Sequence, residues 1–182
     1  MDLDVKNLLN LIAIQQLSKA TIAFTVGFFC ILVGYDNIVD FNTNYAFVKS
    51  VLSMDSMEPF FSGSPAMTSR AISNTTLHLI GYWVIIIGEL ITGLVCLFAS
   101  LYMFASINKS RFVNGQVIYL VGATLAILIW YFGFAVIGGE YFSMWANKMN
   151  GQSKAYTFAT FILITALFVY MPLLKRENQL SN

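Results

Sequence analysis

The sequence predicts an all-α, polytopic membrane protein: a four-transmembrane-helix bundle with a short amphipathic helix in its first outer loop. Three observations carry that prediction. Of 182 residues, 58% are hydrophobic and only 10% are charged, whereas a soluble domain carries roughly 25% charged residues to cover its water-facing surface. The apolar residues are gathered into four long blocks instead of being dispersed with a short amphipathic period, and blocks of about 20 residues match the hydrocarbon thickness of a bilayer. The Lys and Arg residues lie at or beyond the ends of those blocks. A single membrane domain over residues 1–182 follows.

The first span is placed at about 17–35, LSKATIAFTVGFFCILVGY. Lys19 stands at its start, where a long stem snorkels to the interface. Ala20, Ala23, Gly27, Cys30 and Gly34 are spaced three, four, three and four residues apart, so these small residues share one stripe and invite another helix to approach closely. The preceding MDLDVKNLLNLIAIQQLSKA mixes acidic and basic residues and does not resemble a cleavable signal, so the first span is expected to be retained.

The second span, about 77–107, is the longest and must tilt, kink or project beyond the bilayer. Gly88, Thr92, Cys96 and Ser100 recur every fourth residue and make a second small-residue face. Two such faces allow either two helices of one chain or two protomers to pack. The third span, about 117–137, has Gly122 and Ala126 one turn apart, and Trp130 and Tyr131 as interfacial anchors near its far end. The fourth, about 156–174, is closed by Lys175 and Arg176, and tolerates Pro172 because few backbone bonds lie downstream.

With four spans both termini share one side. That side carries Lys6, Lys19, Lys109, Arg111, Lys175 and Arg176, whereas Lys49, Arg70, Lys148 and Lys154 are spread through the opposite loops. The positive-inside rule then places the termini in the cytoplasm.

The outer loops fall at about 36–76 and 138–155. In the first, Phe41, Tyr45, Val48 and Leu52 recur at spacings of four, three and four, with Phe47, Val51 and Met54 alongside. That pattern predicts a short amphipathic helix against the bundle or membrane face. Pro59, Gly63 and Pro65 mark a turn-rich return, and 73–76 offer capping side chains for the second span. The second outer loop is rich in aromatic residues and is expected to pack beside the first.

The stretches FNTNYAFVKSVLSMDSM (41–57), GYWVIIIGE (81–89) and IWYFGFAVIGGEYFSMWANKMNGQSKA (129–155) resemble a bacterial family of predicted small integral membrane proteins, a domain of unknown function. The likeness runs from the first span to the fourth and departs in the loop after Met57. The resemblance implies four spans and a bacterial inner-membrane setting, and it implies no activity.

Glu89 is the most informative single residue. It falls near the middle of the second span, where an ionised carboxylate is expensive, so the group is protonated, paired or facing water inside the bundle. Two readings stand: a proton or cation site with Thr92 and Tyr82 as neighbours, or a protonated carboxyl hydrogen-bonded to Thr92 or Tyr82 that fixes helix register. Asp36, Asp40 and Glu140 lie near the outer ends of spans and can form an acidic vestibule that attracts cations or a basic partner. Glu140 also reads as a plain boundary carboxylate or an ion-pair partner of Lys148 or Lys154.

Other chemistry has little support. One histidine, His78, and two separated cysteines give no metal-ligand cluster and no catalytic set, and no cofactor is expected. A net charge of +1 without a basic cluster excludes a nucleic-acid footprint. The leading reading is a structural or accessory subunit, non-enzymatic, associating among membrane lipids with itself or with a larger membrane complex. The alternatives are a proton- or cation-coupled transport component using Glu89 and a quinone- or lipid-binding module.

Overall fold

The computed structural model describes residues 5–173, with side chains from Leu11 onward. The Lys6 side chain, Leu174, Lys175 and Arg176, which enter the span and orientation expectations, lie outside the described residues.

The chain forms α1 (Val5–Val39), α2 (Phe41–Ser53), a single turn α3 (Pro65–Thr68), α4 (Thr75–Phe104), α5 (Phe112–Ile127) and α6 (Gln152–Tyr170). After Ile127 the third span continues as a π-helical segment, Leu128–Tyr141, and a 3-10 turn follows at Met144–Ala146. Among the described residues, four helices are long and apolar enough to cross a membrane: Leu11–Val39, Thr75–Phe104, Phe112–Tyr141 and Gln152–Tyr170. Large apolar side chains, among them Val84, Leu94, Phe98 and Leu101 on α4, stand exposed on the outside of the bundle. Those faces suit lipid, since the spans satisfy their own backbone groups. The chain is a multi-pass membrane protein, and among the described residues its strand pairing amounts to one isolated bridge, Met57 to Asn147.

Each span packs on the next, and α6 returns to α1, so the bundle closes. The small-residue stripes decide the tightest seam. A Cβ on Gly27 would stand 2.7 Å from the backbone nitrogen of Leu97, and one on Gly93 would stand 2.9 Å from that of Ile31. Only glycine permits α1 and α4 to come this close. The pairing of Gly27 with Leu97 and of Gly34 with Leu90 makes the two helices antiparallel, and Ser100 Oγ donates to the Ala20 carbonyl at 2.8 Å. Cys30 and Cys96 are free thiols buried in the same seam. Of the second stripe, Gly88 lies against Ile129 of the π-helical segment.

Span ends differ from the expected boundaries for local reasons. α1 begins well before residue 17 because 5–16 contain neither Gly nor Pro to stop a helix. α6 ends at Tyr170 rather than near 174, since Met171 precedes Pro172 and takes an extended ψ of 136°. The third span loosens into π winding over a stretch holding Gly133, Gly138 and Gly139.

The end of the bundle opposite the termini carries a cap. Phe41, Tyr45, Val48 and Leu52 of α2 pack with Tyr82 and Ile86 of α4. The other apolar row, Phe47, Val51 and Met54, meets Phe142 and Met144. The second long connection is tied to the first: Asn147 Nδ2 donates to Ser50 O at 3.0 Å, and Lys148 N donates to Ser56 O at 2.9 Å. Asn74 caps α4, its Oδ1 accepting from Thr76 N at 2.8 Å.

Candidate functional site

The site begins with a stripe. The small-residue face of α1 continues for one more step of three residues beyond Gly34, to Asn37, and so Asn37 is turned toward α4. Its amide Nδ2 donates to Glu89 Oε2 at 2.7 Å. The hydroxyl of Tyr82, two turns earlier on α4, donates to the Asn37 backbone carbonyl at 2.6 Å. Asn37 therefore joins the two residues that the sequence had suggested were direct partners.

Glu89 is 1% exposed, and its second carboxyl oxygen, Oε1, is buried without a hydrogen-bond partner. The expected bond to Thr92 is not made: the Thr92 hydroxyl is also buried without a partner. A buried carboxyl with one oxygen unengaged is costly unless something else meets it.

What faces Glu89 is a cavity of about 330 Å³. Its walls are aromatic: Trp130 stacks on Phe134 at 5.3 Å and meets Phe158 edge-on at 4.8 Å, and Phe47 and Tyr82 close other sides. Polar groups gather at the mouth, where Asn44, Asn150 and the exposed Lys154 line the opening. Asp36, beside Asn37 in sequence, is exposed. The Asn37 contact thus sets the end of α1 at the level of a carboxyl that lies halfway along α4, and Glu89 is among the residues that line the cavity.

The other candidate positions fall differently. Asp36, Asp40 and Glu140 are all exposed, and none lines the cavity. Glu140 accepts from Gln152 Nε2 at 3.1 Å, not from Lys148 or Lys154. Trp130, expected as an interfacial anchor, is 7% exposed and faces inward, while Tyr131 beside it is exposed. His78 is buried, with Nε2 2.6 Å from the Ile72 carbonyl. Among the described residues no three His, Cys, Asp or Glu side chains gather to hold a metal ion.

A second buried charge lies at the opposite end. Lys19 is fully buried rather than snorkelling: its Nζ donates to the carbonyls of Val169, at 3.0 Å, and Met171. Gln116 donates to Val169 O as well, and Gln15 donates to Pro172 O at 3.1 Å. Three side chains therefore close the carbonyl end of α6, which carries unsatisfied acceptors and the negative pole of the helix dipole.

Sequence reasoning missed Asn37, Asn44, Asn150 and Lys154. For Asn37 a signal was present, because it continues the three-and-four spacing of the stripe. The other three are brought together only by the fold of the cap.

Neither a curated protein nor a solved structure matches this chain. Residues 15–172 match the family described as predicted small integral membrane protein (DUF2165), from the buried face of α1 to the proline that ends α6, and the chain belongs to that family.

Proposed function

We propose that this protein is a cation-handling component of the bacterial inner membrane, in which Glu89 reversibly takes a proton or a cation from a chamber open to the outer face. One observation carries the reading. Glu89 lines a cavity with a polar mouth, and its Oε1 is buried without a hydrogen-bond partner. A carboxyl that served only to fix helix register would be expected to have both oxygens engaged.

Orientation follows from the basic residues. Lys19, Lys109 and Arg111 stand at the terminal end of the bundle, and the positive-inside rule makes that end cytoplasmic. Beneath Glu89 the bundle is close-packed: Ala23, Cys30, Cys96, Ala99 and Tyr119 are each at most 1% exposed. A single chain with one opening supports binding and release, and passage across the membrane would need a rearrangement or a second chain. The reading is of a binding component, not an enzyme.

The accessory-subunit reading rested partly on small-residue faces available to partners. Those of α1 and α4 are covered within the chain, Gly27 by Leu97 and Gly88 by Ile129, so a homo-oligomer or larger complex would have to use the lipid-facing surfaces.

The test is an infrared pH titration of the protein in nanodiscs. A carboxyl band that changes with pH and is missing from Glu89→Gln is expected. An identical set of titrating bands in both proteins would overturn the proposal.

A further inference from the structure

We infer that the cation is an organic, amphipathic one, with a compact ammonium head against Glu89 and its aromatic walls and a hydrocarbon tail in the apolar cavity next door. This rests on the proposed role of Glu89 and adds the class of ligand.

Size argues first. A proton or a bare metal ion needs no cavity of about 330 Å³, a volume within the roughly 300–1,000 Å³ of small-molecule sites. The walls argue next. A carboxyl that lines one cavity with Trp130, Phe134, Phe158 and Tyr82 combines charge with aromatic faces, whose quadrupoles attract alkylammonium groups.

The neighbouring cavity supplies the rest. It has a volume of about 390 Å³ and lies between α2, α4 and the π-helical segment. Every residue lining it is apolar or glycine, and Phe47, Val48, Ile85 and Phe134 line both cavities. The two spaces therefore adjoin at these four side chains, where Phe47 and Phe134 stack at 6.3 Å, and a tail reaching from one space into the other has to part those rings. Val84 and Leu128, 65% and 52% exposed, border the apolar cavity, so it opens sideways toward lipid. Its space depends on glycine: a Cβ on Gly81 would meet only Leu52 Cδ1, at 3.6 Å. A longer side chain at Gly81 would therefore extend into space that now belongs to the cavity. Lys154 at the mouth opposes a cationic head, while the exposed Asp36, next to Asn37 in sequence, favours one.

The experiment follows fluorescence of Trp130 in nanodiscs of zwitterionic lipid, with Trp83→Phe and Trp145→Phe removing the other tryptophans and empty nanodiscs as the blank. Tetramethylammonium and hexyltrimethylammonium are the probes. The hexyl compound should bind at least tenfold more tightly. Glu89→Gln should weaken both at least tenfold. Gly81→Leu should bring the hexyl compound to the affinity of tetramethylammonium and leave the latter unchanged, which also shows that the variant is folded. Equal affinities in the parent protein, a hexyl preference that survives Gly81→Leu, or no response to either probe would overturn the inference. If the infrared titration of Glu89 persists in those cases, the ligand class has failed and the proton or cation site has not.

Discussion

Lys19 and Glu89 are both almost completely buried, and the molecule treats them in opposite ways. Lys19 places its ammonium on two carbonyls at the end of α6, with Gln116 and Gln15 bonding the same helix end. The charge and the helix terminus each supply what the other lacks. Glu89 has one oxygen on Asn37 and the other on nothing, beside a cavity. A buried charge becomes a part of the scaffold when its surroundings complete it, and a place for chemistry when they leave it unfinished next to open space.

Substitutions break or sharpen this contrast. Lys19→Ala should have the largest effect, lowering stability by about 3 kcal/mol because acceptors at the α6 terminus lose a charged donor in a buried site. Unfolding in mixed micelles followed by circular dichroism measures it, and ammonium binding should be unchanged wherever the variant is folded. Asn37→Ala removes the one donor to Glu89 and should lower stability by about 1.5 kcal/mol in the same assay. Ser100→Ala, which deletes the neutral bond to Ala20 in the α1–α4 seam, supplies the baseline at about 0.6 kcal/mol. Glu89→Gln should change stability least, by less than about 0.5 kcal/mol in either direction, yet it should abolish the titrating carboxyl. If Glu89→Gln proved as damaging as Lys19→Ala, the contrast would collapse.

The sequence made one kind of information plain and hid another. Periodicity along a single helix revealed the four spans, the amphipathic α2, the two small-residue stripes and the unusual depth of Glu89, because each is a local pattern of three and four residues. The partners of the buried charges were hidden, since Lys19 meets Val169 across 150 positions and Glu89 meets Asn37 across 52. Lys19 looked like a snorkelling residue only because its helix was expected to begin near residue 17, when it begins at Val5. The chamber was illegible for a related reason. Trp130 and Phe158 have the composition of lipid-facing anchors, and only the packing of α6 against the third span turns them into walls. The acidic residues near the span ends suggested a vestibule by their charge, but asparagines and a lysine line the actual opening.

Chemical access to the two charges, read in one experiment, tests the contrast most directly. The protein in nanodiscs is treated in parallel with a membrane-permeant carbodiimide, which modifies carboxyls, and with an amine reagent, and the modified sites are mapped by mass spectrometry. Glu89 should be modified, and protected by hexyltrimethylammonium, while Lys19 stays unmodified under conditions that modify Lys109 and Lys154. An unreactive Glu89, or a Lys19 that reacts as fast as those exposed lysines, would contradict the account.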